Sequence, residues 1–345
     1  MNHKTHLGTF LLGLVVSAVC VALVLTHVDL GQVWRTSTGL KGKWILAALV
    51  VSVACLLLRG WRWREIFPPT SRPGFWRFVK IMAIGTMANN VLPGRVGDLA
   101  RCTLIGSELS ISGASEGLAS LGVEKVLDGL ALIAVLVFSA VFLTPPRWIW
   151  ELTLVAGVVF AAALALLIAI RFRYEWVASA MVRLAAVCHA PGLGARLAQL
   201  VRSFGGALRS INSAGQLFAI LSLTAVIWVL ESVMVWVMAT SLSISIGISA
   251  SFVVMAVLGL GFMIPAAPAG LGTYEAFGVA AFTAVGVAAS GGLAVTLLLH
   301  TWTFVANNAF GLICLPITGV RFSTLPKAGE VAEEALESPA VGTRT

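Results

Sequence analysis

Asn89-Asn90-Val91-Leu92-Pro93-Gly94-Arg95-Val96-Gly97-Asp98 interrupts an apolar run that begins at Ile81. As a helix, 81–92 would be about 18 Å long, too short for a hydrocarbon core of about 30 Å. Proline and glycine at this density break a helix. Irregular backbone at membrane depth survives only where protein or a wet cavity satisfies it. The stretch therefore predicts a re-entrant hairpin, 81–123, with a broken tip. A second short apolar run starts at Phe252 and meets Pro265-Ala266-Ala267-Pro268-Ala269-Gly270-Leu271-Gly272-Thr273-Tyr274-Glu275. It predicts a second hairpin over 252–290. Both tips read proline, glycine, glycine, acid, so Pro93, Gly94, Gly97, Pro268, Gly270 and Gly272 are expected to shape them.

Outward from the tips, the chain is rich in apolar residues. Of 345 residues, 59% are hydrophobic and 11% charged. A soluble domain carries about 25% charged residues. The composition excludes disorder, a coiled coil and nucleic-acid binding by basic stripes. It points to an all-α polytopic integral membrane protein. Spans are expected at 7–28, 44–58, 126–144, 152–170, 217–240 and 292–319. The first could have been a signal peptide, but no cleavage site of small residues follows it. Residues 1–150 then read span, span, hairpin, span, and 151–321 repeat that order. Broken helices in repeated halves mark binding sites in secondary transporters. Residues 322–345 turn polar and are expected to form a disordered cytoplasmic tail.

Charge gives an orientation. Segment 59–80, expected as a loop, holds Arg59, Arg62, Arg64, Arg72, Arg77 and Lys80 against Glu65. Segment 171–216 holds six arginines against Glu175, whereas 241–249 has no charge. The positive-inside rule places both basic loops, and both termini, in the cytoplasm of an inner-membrane protein. Three crossings per half make the repeats inverted. Trp61, Trp63 and Trp76 beside this arginine cluster read as a head-group anchor.

The polar residues within the spans are the site candidates, because charge at membrane depth is costly. Arg95 and Arg101 around Asp98 would leave one net positive charge, which suits a phosphate gripped by guanidinium forks. Alternatively, Asp98 merely neutralises the arginines. Asn89 and Asn90 either bond head-group oxygens or cap the broken helix. Glu124 and Asp128 share a helix face at the start of the third span. They either cap it or partner Arg95 or Arg101. Glu231, deep in the fifth span, is a binding candidate or a buried hydrogen-bonding group. Tyr274 and Glu275 end the second tip, where Glu275 could pair with Arg95 or Arg101. His300 reads as a packing residue or a proton relay. The cysteines Cys20, Cys55, Cys102, Cys188 and Cys314 form no CxxC pair. Neither a disulfide framework nor a metal site is expected. No P-loop, GxGxxG or nucleophile elbow is present, so neither ATP-driven pumping nor a cofactor is expected.

The ordered set Arg59-Gly60-Trp61-Arg62-Trp63, N-N-V-L-P-G-R-V-G-D-L-A-R at 89–101, V-E-K-V-L-D at 123–128 and P-A-G-L-G-T-Y-E at 268–275 resembles the transmembrane region of lysylphosphatidylglycerol synthases, the flippase-like domain family. The resemblance covers about residues 5–320. It implies movement of phospholipids or lipid-linked head groups between leaflets. It places the motif on Asn90, Pro93, Gly94, Arg95, Gly97, Asp98, Arg101, Glu124, Asp128, Pro268, Gly270, Gly272 and Glu275. The full synthases continue into a soluble aminoacyl transferase domain, which this sequence lacks, so aminoacyl-lipid synthesis is not expected. The expected partner is an anionic membrane phospholipid or lipid-linked phosphate, with a membrane transferase as a possible second partner and no nucleic acid. The alternatives are an intramembrane lipid-modifying enzyme, with Asp98, Glu124 and Asp128 as acid–base groups, and an accessory subunit of a glycosyl or lipid transferase.

Overall fold

The computed structural model describes residues 30–37, 42–68, 72–92, 95–109, 114–139, 142–187, 189, 191–209, 211–263, 268–320 and 325. The expected span at 7–28 and nearly all of the tail lie outside the described residues, as do Pro93 and Gly94. The described residues form helices joined by short turns, with no strand among them. These are α1 (Leu30–Ser37), α2 (Lys43–Ile66), α3 (Phe75–Val91), α4 (Val96–Leu109), α5 (Ala114–Ser139) and α6 (Arg147–Val187). There follow α7 (Pro191–Leu208), α8 (Ala214–Ser241), α9 (Ile248–Phe262), α10 (Thr273–Ala284) and α11 (Ala289–Thr318). The protein is an all-α polytopic membrane protein. Among the described residues, α2, α6, α8 and α11 are long and apolar enough to cross a membrane. Their outer faces leave Leu46, Val50, Leu154, Val158, Leu312 and Ile313 exposed, as a lipid-facing surface requires.

Helix α2 outruns the expected span 44–58. No proline interrupts it before Pro68, so it carries Arg59, Arg62 and Arg64 on helix rather than loop. Trp63 is fully buried and donates to Ser120, so it is not an interfacial anchor, whereas Trp61 and Trp76 are exposed. Helix α5 starts at Ala114 instead of near 126, which puts Glu124 and Asp128 inside it. They cannot be capping residues of its first turn. Most of the expected loop 171–216 is helical: α6 kinks at Arg173, continues to Val187, and packs against α7. Val177, Ala178 and Ala185 bury a stripe there while Glu175 and Arg202 pair on the outside at 3.2 Å. In the expected disordered tail, Leu325 is instead buried in a cluster with Ile84, Met87, Ala88 and Ala100.

Helices α2 and α8 lie side by side and antiparallel. Trp44 meets Trp236, Arg59 meets Glu231, Arg62 meets Thr224, and the Glu65 carbonyl accepts from Gln216. Position rises along one helix as it falls along the other. Helix α8 therefore ends at the level where α2 begins. The α3–α4 hairpin follows α2 and the α9–α10 hairpin follows α8, so the two enter from opposite ends of this pair. The packing is matched across the halves: α3 lies on α11, and α9 lies on α5.

Both tips break as expected. Helix α3 stops at Val91 and α4 starts at Val96. Gly97 sits where a Cβ would overlap the Gly85 carbonyl oxygen and the Asn89 backbone, which makes glycine a requirement of hairpin closure. Gly97→Ala is expected to cost about 1–3 kcal/mol by overpacking. The check is the unfolding midpoint of the detergent-solubilised protein, and an unshifted midpoint would mean that the hairpin opens freely. In the second tip Pro268 opens a short 3-10 turn, and Gly270 and Gly272 take φ of +74° and +84°, where side chains are strained.

Candidate functional site

The buried charges form a network on α2, α4 and α5. The Arg62 guanidinium donates to both Asp128 oxygens, at 2.5 and 3.2 Å, and lies 3.8 Å from Glu124. Arg101 donates to both Glu124 oxygens, at 2.7 and 3.1 Å. Asp98 pairs with Arg101 at 3.3 Å and with Lys125 at 3.1 Å. Trp228 donates to Asp128 at 3.1 Å. Three cations meet three carboxylates, so the network is neutral. Arg101 is 2% exposed and committed to carboxylates. The expectation of a net positive charge shared by Arg95, Asp98 and Arg101 is thus corrected. Glu124 and Asp128 do partner arginines, but Arg101 and Arg62 rather than Arg95.

Arg95 stands apart. It does not pair with Asp98. Its guanidinium donates to the Phe262 carbonyl at the end of α9 and lies 5.6 Å from the Phe262 ring centroid. No carboxylate among the described residues pairs with it, and no other hydrogen bond from its side chain is found there. Its backbone φ is +57°, a left-handed conformation that favours glycine. Such strain in a non-glycine residue points to a functional reason for the side chain. Arg95 joins the two tips, and among the described residues its remaining donors meet no acceptor.

The two asparagines separate. Asn89 accepts the Asp98 backbone N–H at 2.9 Å, so it bridges the broken helix. The Asn90 amide nitrogen is enclosed and has no acceptor among the described residues. Among the described residues, then, donors of both Arg95 and Asn90 at the first tip meet no acceptor.

The second tip is tied differently from the expectation. Glu275 pairs with neither Arg95 nor Arg101. One of its oxygens lies 2.5 Å from His300 Nδ1 and the other accepts the Gly272 N–H at 2.7 Å. Tyr274 packs 4.7 Å from the His300 ring. Glu231 receives a hydrogen bond from Arg59 at 2.8 Å. Arg59 also lies 5.9 Å from the Trp228 ring.

Sequence reasoning missed Arg59, Arg62 and Lys125 as site residues. The signal was present in the unbroken helical pattern through Arg59, which puts Arg59 and Arg62 one turn apart inside a span.

A family model described as the lysylphosphatidylglycerol synthase TM region matches residues 10–311. The chain belongs to this family. The match takes in both hairpins, the charge network and His300, so the whole site lies within the lysylphosphatidylglycerol synthase TM region. The chain is also similar to Glycosyltransferase AglD of Haloferax volcanii, at 30% identity over 131 residues. That similarity covers 37% of this chain and 20% of the relative, so the chain matches about a fifth of AglD's length.

Proposed function

We propose that this protein moves an anionic phospholipid, or a lipid-linked phosphate head group, between membrane leaflets. Arg95 carries this reading: it is a guanidinium at the meeting point of the two broken hairpins, without a carboxylate partner among the described residues. A phosphate offers the acceptors that Arg95 and Asn90 lack among the described residues, and a planar fork grips it in two places. The reading includes no catalytic step. Asp98, Glu124 and Asp128 are all held by cations, which disfavours them as acid–base groups. The test is transbilayer movement of head-group-labelled phosphatidylglycerol in proteoliposomes. Movement no faster than in empty vesicles, across a panel of anionic lipids, counts against it.

The similarity to a protein named a glycosyltransferase favours a second reading. In it the chain presents a lipid-linked phosphate to a membrane transferase. Co-purification with a transferase, and product loss without the chain, would support that reading over independent transport.

The transporter reading includes an inverted repeat in the inner membrane, with both termini cytoplasmic. It is supported by the antiparallel α2–α8 pair and by the hairpins entering from opposite ends. Arg62 adds nothing to surface charge because it is buried, yet Arg64, Arg72, Arg77 and Lys80 still outnumber Glu65 near that end. With the native cysteines replaced, Ser245→Cys should react with an impermeant thiol reagent from outside, and Ser179→Cys should not. The reverse pattern would overturn this orientation.

A further inference from the structure

His300 sits in α11 with an acceptor beside each ring nitrogen. Nε2 lies 3.0 Å from the Ala269 carbonyl oxygen, and Nδ1 lies 2.5 Å from a Glu275 carboxylate oxygen. A carbonyl only accepts, so Nε2 carries a proton and donates it. A neutral imidazole has one N–H. Nδ1 would then face the carboxylate lone pair to lone pair, at a separation that only a hydrogen bond makes favourable. One further proton must lie between Nδ1 and Glu275, either as imidazolium with carboxylate or as imidazole with carboxylic acid. The pair holds that proton in both forms and is net neutral.

The same pair holds the second tip. Ala269, at φ +58°, is fixed by its carbonyl to His300, and the Gly272 N–H is fixed by Glu275. Removing the shared proton leaves one negative charge and a repulsive contact between α10 and α11. Among the described residues, Arg95 is the cation that reaches this tip, stacked on Phe262, whose ring meets Tyr274 at 6.2 Å. Tyr274, on α10, packs on the imidazole. Glu231, on α8, acts electrostatically on Tyr274 and is bound to Arg59 of α2, beside Cys55. Helix α3 brings Lys80 to the Cys314 region, about 21 Å along α11 from His300. Helix α1, with Arg35 as its titratable residue, meets α11 at Ser290, about 15 Å away.

We propose that His300 and Glu275 form a proton-binding site whose occupancy holds or releases the second tip. Proton movement is then coupled to lipid movement, a step that rests on the transport reading. A proton from one aqueous side occupies the Nδ1–Oε1 position and locks the tip. Its loss to the other side frees Ala269 and Gly272, and with them the junction with Arg95. No other reactant is needed.

The first measurement does not involve transport. Amide hydrogen exchange over 268–276 is followed in nanodiscs from pH 5 to 9 and expressed as protection factors. Protection in the wild type should fall about tenfold or more as pH rises, while that of α8 stays level. Glu275→Gln, a permanently uncharged cap, should remove the step. A level wild-type profile, or the same step in Glu275→Gln, overturns the proton site. The second measurement imposes a pH gradient on proteoliposomes containing labelled phosphatidylglycerol. The gradient should bias the final leaflet distribution for the wild type and not for His300→Gln. Lipid movement with no bias overturns the coupling and leaves the transport reading standing. A protection step without any lipid movement overturns both the coupling and the transport reading.

Discussion

Arg95→Ala reduces lipid movement by about 10- to 150-fold, the loss expected when a charge-assisted hydrogen bond worth roughly 1.5–3 kcal/mol is removed from a desolvated phosphate. The measurement is the initial rate of labelled phosphatidylglycerol movement at matched amounts of reconstituted protein. Arg95→Lys should recover part of the rate, because a point charge replaces a two-pronged donor. A structural role for Arg95, as the cation that satisfies the Phe262 carbonyl, gives a different pattern. Arg95→Gly separates the two. Glycine relieves the left-handed strain at φ +57°, so stability should hold or rise while transport is lost. Transport retained in a stable Arg95→Gly protein would sink the phosphate role. Because Asp98 pairs with Arg101 and Lys125, combining Arg95→Ala with Asp98→Ala should not rescue transport.

The second large effect lies in stability. Arg62→Ala leaves Asp128 buried with the Trp228 indole as its one remaining donor among the described residues, and Glu124 loses its more distant cation. Breaking a buried pair by removing one partner costs about 3–5 kcal/mol, against about 5–15 kcal/mol for a whole fold. The Arg62→Ala protein should show a sharply lower thermal midpoint in detergent and a reduced monodisperse fraction. Combining Arg62→Met with Asp128→Leu should restore most of the midpoint, since apolar replacement of both partners removes the stranded charge. A single variant as stable as the wild type would show that water reaches the network.

The helix breaks at the two tips were legible in the sequence because their signals are local. Helices too short to span, followed by Pro93-Gly94 and by Pro268, Gly270 and Gly272, leave few alternatives in a membrane. Helix ends were less legible. Arginine in an apolar helix reads as the end of a span, and α2 continues through three of them. That reading assigned Arg59 and Arg62 to a loop and hid the partners of Glu231 and Asp128. The pairing of Glu275 with His300 was hidden for another reason. It is made between α10 and α11, and the sequence offered several cations for that carboxylate. Only the packing of the two helices decides among them.

The meeting of the two tips also has an electrical consequence. In the proposed transporter, a path that admits water from both sides as far as the tips would shorten the insulating layer between the two bathing solutions. The membrane potential would then fall mostly across the layer containing Arg95, Phe262, Glu275 and His300. A charge displaced a few ångströms there senses a large share of the voltage, which is worth about 2.3 kcal/mol per elementary charge at 100 mV. Small tip movements would thus perform work that elsewhere requires carrying a charge across the full bilayer.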